Sequence, residues 1–152
     1  MRRSAPLPAS LLAVLFLSIA AGRAADERAR SQESVAALER AAMAHARAGE
    51  FDKAEALLAR ALAAAPGDFK VLYNLGVAAS FAGHHERARE VLETALRQQP
   101  QNVDVLYSLA YVDVALKQKE AALTRLAQAA RLAPQRADIQ KLLAIVTGDL
   151  GA

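Results

Sequence analysis

From Pro66 to Pro100 the chain reads PGDFKVLYNLGVAASFAGHHERAREVLETALRQQP, and this stretch decides the fold. Val71-Leu72-Tyr73-Asn74-Leu75 returns one period later as Val105-Leu106-Tyr107-Ser108-Leu109. Pro66, Pro100 and Pro134 are spaced by 34 and 34 residues. The same shift aligns Ala54, Ala88 and Ala122, then Leu58, Leu92 and Leu126, then Ala61, Ala95 and Ala129. Columns kept in phase mark an internal repeat whose units stack, because no unit buries its apolar face alone.

Each period reads as two helices. Asp68 is placed to cap the first, and Leu72, Leu75, Val77 and Ala79 continue a helical pattern. Gly83 breaks the chain, and the pattern predicts a second helix from about His85 to Gln98. Pro100 stops it, since proline lacks the N–H a helix needs and disfavours helix in the residue before it. Asn102 caps the third unit as Asp68 caps the second, and Ser34 is expected to cap the first. Gly49 matches Gly83 in the first unit; Lys117 stands there in the third, which predicts a tighter or less strained turn. Helices approach closely only where one presents a small residue. Gly76 with Ala88, Ala42 with Ala54, and Ala110 with Ala122 are placed at such crossings, with Leu72, Leu75 and Leu92 filling the flanks.

Composition agrees with helix. Of 152 residues 54% are hydrophobic, yet only 5% are aromatic and none is Trp; 38 alanines make up the difference. Alanine is the best helix former, so a β-sandwich, a β-barrel and a disordered chain are excluded as expectations. The lack of any cysteine excludes disulfides, thiolate metal sites, a cysteine nucleophile and a lipidated cysteine. The net charge of +3 comes from Arg2, Arg3 and Arg23, in a stretch without acids; the remaining sixteen basic and sixteen acidic residues balance. A neutral body argues against a nucleic-acid partner.

The first residues read as an address. Met1-Arg2-Arg3 precedes an uncharged apolar run of 13 residues, Ala9 to Ala21, and small residues cluster at Ala20, Ala21, Gly22, Ala24 and Ala25. This order is that of a secretory signal peptide, and the run falls short of the roughly 20 residues of a spanning helix. Cleavage before Arg23 and before Ala25 both fit. The expectation is export, periplasmic or secreted, with no membrane contact once the leader is removed; the rival is an uncleaved anchor.

The repeat resembles the tetratricopeptide repeat family. That pattern wants a large apolar residue at position 4, Leu then Gly or Ala at 7 and 8, Ala at 20, a large apolar at 24, Ala at 27 and Pro at 32. Leu72, Leu75-Gly76, Ala88, Leu92, Ala95 and Pro100 match it in the second unit, and Leu106, Leu109-Ala110, Ala122, Leu126, Ala129 and Pro134 in the third. The first has Leu38, Ala42, Ala54, Leu58, Ala61 and Pro66 but departs at Ala41. Leu143-Ala144 fits positions 7 and 8 of one further helix. The implied organisation is a signal peptide over 1–24, a lead-in over 25–34, repeats over 35–68, 69–102 and 103–136, and a capping helix over 137–150. The implied fold is an all-α, right-handed α-solenoid.

In that family the first helix of each unit lines a concave, partner-binding face. The corresponding positions here are Arg40, Met43 and Arg47, then Lys70, Tyr73, Asn74, Val77 and Phe81, then Tyr107, Ser108, Tyr111 and Val114, and finally Lys141 and Ile145. All three tyrosines fall in this set, and tyrosine is enriched where partners bind. The bland rival is packing of these rings between helices. Some members grip a C-terminal carboxylate with a Lys, Asn and Arg set; the matching places hold Glu39, Met43, Asn74, Asp104 and Ser108, and only Asn74 agrees. Binding of that type is therefore not expected.

Catalytic signals are weak. His84-His85 lies in a turn, where adjacent side chains diverge, and His45 sits at a packing position. Ser80 and Ser108 lack a nucleophile-elbow context. Glu50/Asp52 and Glu90/Glu93 read as solvated charges that favour helix starts. No glycine-rich phosphate loop is present. The expectation is a non-enzymatic interaction module, with no metal and no cofactor, binding a peptide or partner helix; self-association is compatible with so short an array. The alternatives are an assembly factor of a cell-envelope machine (pilus, polysaccharide export or cytochrome maturation) using the same groove, and a small-molecule carrier or hydrolase.

Overall fold

The computed structural model describes residues 22–23 and 34–148. The expected leader, apart from Gly22 and Arg23, and the lead-in up to residue 33 lie outside the described residues. Between 34 and 148 the chain forms seven helices and no strand: α1 over 34–47, α2 Phe51–Ala64, α3 Phe69–Phe81, α4 His85–Gln98, α5 Val103–Ala115, α6 Lys119–Leu132 and α7 Ala137–Thr147. Among the described residues no helix is long and apolar enough to cross a membrane.

The caps follow the residue types. The Asp68 side chain accepts from the Val71 N–H at 3.1 Å, and Asn102 accepts from the N–H groups of Asp104 and Val105 at 3.1 Å each. The expected cap at Ser34 differs: α1 already includes Ser34, so the helix begins no later than that residue. The second helices α2, α4 and α6 instead place Asp52, Glu86 and Glu120 in their first turns, where a negative charge meets the helix dipole.

The turn inside each unit is built one way three times. Gly49, Gly83 and Lys117 adopt φ of 75°, 86° and 59°. In each case the next N–H, from Glu50, His84 or Gln118, donates to a carbonyl five residues back, at 2.9, 2.9 and 2.8 Å. The expectation for Lys117 is therefore corrected. Its turn is not relaxed; a side chain sits in the left-handed region, at a cost of about 1–2 kcal/mol.

Every helix packs chiefly on its sequence neighbours, with α3 also touching α5 and α5 touching α7. This is a one-dimensional stack. Its cores recur with the period. Leu72, Leu92, Ala95 and Val105 belong to one buried cluster, and Leu106, Leu126, Ala129 and Ile139 to the next. Ala54, Ala88, Ala122 and Ala110 are completely buried, so helix axes approach where the sequence offers only a methyl group. The odd-numbered helices α1, α3, α5 and α7 then form one wall.

Candidate functional site

Along that wall three rings form a ladder. Phe51, at the start of α2, stacks on Phe81 of α3 with centroids 5.0 Å apart and planes 22° apart. Phe81 in turn meets Tyr111 of α5 at 6.3 Å and 35°. Despite this stacking Phe81 is 57% exposed, and Met43, Tyr111 and Ile145 are also exposed. Four large apolar side chains in water on one wall make a patch of the kind that marks an interaction site.

Phe81 and Val77 separate two hollows. One, of about 340 Å³, lies between α1 and α3 over Leu58, walled by Ala42, Met43, Ala46 and Phe51, with Arg47 and Asn74 as its polar lining. The other, of about 120 Å³, lies between α3 and α5 and is lined by Ser80, Tyr107, Ser108 and Tyr111.

The sequence-selected residues divide by surroundings. Met43, Arg47, Asn74, Val77, Phe81, Tyr107, Ser108 and Tyr111 line these two hollows. Tyr73 is half-buried against the cluster around Leu72 and Leu92. Tyr107 packs beside the next cluster and lies under the Arg136 guanidinium, 5.9 Å from ring to cation. Burial raises the Tyr107 phenol above its usual value, with Asp138 adding to the effect. Lys70 and Asn74 both turn to Glu39, the lysine at 3.1 Å and the amide at 3.5 Å. Arg40 and Lys141 are exposed. Val114 and Ile145 line a separate hollow near Lys117.

Phe51, Ala46, Leu58 and Ser80 also line the wall. Sequence reasoning missed Phe51 and Leu58 because it took wall residues from first helices only. The signal for Phe51 was its type: the equivalent places one and two periods on hold His85 and Lys119.

Charge chemistry sits away from the wall. The carboxylate of Glu55, almost completely buried on α2, takes His84 Nδ1 at 2.7 Å and the Arg87 guanidinium at 3.0 Å. Hydrogen bonding to Glu55 raises the His84 pKa, and the attraction of that carboxylate adds to it. His45 meets Glu50 instead. The described residues contain no group of three or more His, Cys, Asp or Glu side chains able to hold a metal.

The raised His84 pKa gives a pH dependence. The folded value exceeds the unfolded one of about 6.5, so the contribution is complete below that pH and is lost as pH rises through the folded value. Melting temperature should fall from pH 6 upward more steeply in the parent than in His84→Gln, by a small amount because His84 is exposed. Parallel melting curves for the two proteins across that range would refute the linkage.

Comparison with known proteins addresses the fold. The family model for the tetratricopeptide repeat matches residues 45–98 and 81–146. No curated protein matches in sequence. Among solved structures the chain is similar to the first TPR of Spaghetti (RPAP3) bound to an HSP90 peptide: 15% identity, TM-score 0.72, covering 79% of this chain and 95% of that one. It is similar to the Arabidopsis OM64 TPR domain at 14% identity and TM-score 0.73, covering 79% and 99%. The Sgt2 TPR domain of Aspergillus fumigatus aligns at 21% identity and TM-score 0.69, covering 76% and 78%.

Proposed function

The chain belongs to the tetratricopeptide repeat family, and from that premise we propose that it is a non-enzymatic adaptor holding a peptide or partner helix along the wall of odd-numbered helices. One observation carries the reading: the Phe51–Phe81–Tyr111 ladder, with Phe81 57% exposed. A phenyl ring left in water forgoes about 1.5–3 kcal/mol of burial, which a partner recovers. The hollows on either side of Phe81 are open to an incoming side chain. The peptide bound by the similar Spaghetti domain supports the same class of occupant. The non-enzymatic reading is supported by the wall's chemistry, since its carboxylates are engaged by cations.

Phe81→Ala combined with Tyr111→Ala tests the proposal. Both residues are exposed, so helicity by circular dichroism should be unchanged. Capture of the protein's partner from extracts of its own source should fall at least thirtyfold, as for loss of an aromatic anchor of about 2 kcal/mol. Unaltered capture by the folded variant would move the site to another face.

We also propose export, on the order of Arg2-Arg3, apolar run and small residues. The mature chain should then start between Ala21 and Asp26. Intact mass of the exported form measures this, and retention of Met1 through Ala20 in a membrane fraction would overturn it.

A further inference from the structure

The wall has a charge signature that the ladder alone does not explain. Its carboxylates are all engaged. Glu39 is held by Lys70 and Asn74. Asp104 and Asp138 share one guanidinium, that of Arg136, at 2.6 and 2.5 Å. Among the described residues no carboxylate pairs with Arg40, Arg47 or Lys141 on the same wall. The body of the chain is neutral, so this is a local excess of positive charge. Arg47 is placed for use, because it lines the larger hollow, whose other walls are almost entirely apolar.

We propose that the occupant is an acidic-apolar peptide segment, with a large apolar side chain in the hollow between α1 and α3 and a neighbouring Asp or Glu on Arg47. This rests on the adaptor reading above and narrows it. The hollow, at about 340 Å³, is large enough for an aromatic or branched aliphatic anchor. Guanidinium at its mouth favours carboxylate, which it can meet with two parallel hydrogen bonds. Cations along the wall also repel basic segments, so the surface selects as well as attracts. The carboxylate recognised is a side chain. A terminal carboxylate is not required, since the places that would grip one hold Glu39, Met43, Asp104 and Ser108.

The test is selection from a displayed library of random linear peptides on the purified protein, with affinities of labelled synthetic copies. Enriched peptides should pair a large apolar residue with Asp or Glu, and amidation of their C-termini should leave binding unchanged. Affinity should fall about tenfold in Arg47→Glu and at least as much in Phe81→Ala, with circular dichroism unchanged. Replacing the peptide acid with Lys should restore binding to Arg47→Glu. If enriched peptides are basic or indifferent to charge yet still depend on Phe81, the acidic-apolar inference falls and the adaptor reading stands. If no selected peptide depends on Phe81 or Tyr111, the adaptor reading falls and takes this inference with it.

Discussion

Replacing Arg125 with Met is expected to destabilise the fold by about 3 kcal/mol, although Arg125 is itself partly exposed. The reason is what it leaves behind. Asp113, on α5, is completely buried, and its carboxylate lies 3.2 Å from the Arg125 guanidinium of α6. Arg125 also reaches Glu93 of α4 at 3.2 Å, so one cation ties three helices. Burial raises the Asp113 pKa, and the attraction of Arg125 and then Arg89 opposes the shift. Without Arg125 the buried charge loses its nearest compensation. The folded pKa lies above the unfolded one, so stability falls as pH rises through it and is regained on acidification. Arg125→Met should therefore be most harmful at neutral pH and less so near pH 4.

The companion variant separates the pair from its parts. Ala79 occupies the equivalent place one repeat earlier and is fully buried, so the site accepts a methyl group. Asp113→Ala should change stability by no more than about 1 kcal/mol, since replacing a buried ion with an apolar group is often neutral or favourable. Adding Asp113→Ala to Arg125→Met should recover most of the loss. Urea unfolding of all four proteins measures this. An Arg125→Met cost below about 1 kcal/mol, or a double variant no better than the single, would show that the buried carboxylate is not held in this way.

What the sequence made legible was whatever repeats. The proline period, the Leu and Ala columns and the caps at Asp68 and Asn102 depend on nearest neighbours and local hydrogen bonds, and each reads as a fixed spacing. What escaped was whatever breaks the period. Glu39, Glu55 and Asp113 are charged residues in buried positions, and their partners Lys70, His84, Arg87 and Arg125 come from a following helix. Single-helix periodicity assigns such acids to solvent. The available signal was Asp113 in phase with Ala79, an acid inside an apolar column. Lys117 was misjudged because a lysine was taken to relax the turn, whereas the hydrogen bonds at its neighbours hold the backbone in the glycine-like conformation. On the wall, the Tyr set was found from repeat positions, but the Phe51–Phe81 stack joins a first helix to a second and has no repeat counterpart.

The largest packing effect should appear at Leu92, and its sign should depend on residue 76. Leu92 is completely buried in the cluster with Leu72, Ala88 and Leu109. Leu92→Ala removes three carbons and leaves a hole that rigid helices only partly close, a loss of about 2–5 kcal/mol. That is a large share of the roughly 5–15 kcal/mol that holds a domain of this kind. Gly76 lies directly opposite. A Cβ built there would come 2.4 Å from Leu92 Cγ and 2.7 Å from Cδ2, closer than side chains pack. Gly76→Ala should therefore be unfavourable in the parent: overpacking costs about 1–3 kcal/mol, and the better helix propensity of alanine returns only about 1. With Leu92 truncated the same methyl meets vacated space. Gly76→Ala should then stabilise by about 1 kcal/mol, from helix propensity and partial filling of the hole. The two substitutions are thus expected to couple by about 2–3 kcal/mol, at the upper end for residues in direct contact. Unfolding free energies of the four proteins test it. If Gly76→Ala has the same sign and size in both backgrounds, Leu92 does not fill the space opposite Gly76, and the close approach of α3 and α4 must rest on other side chains.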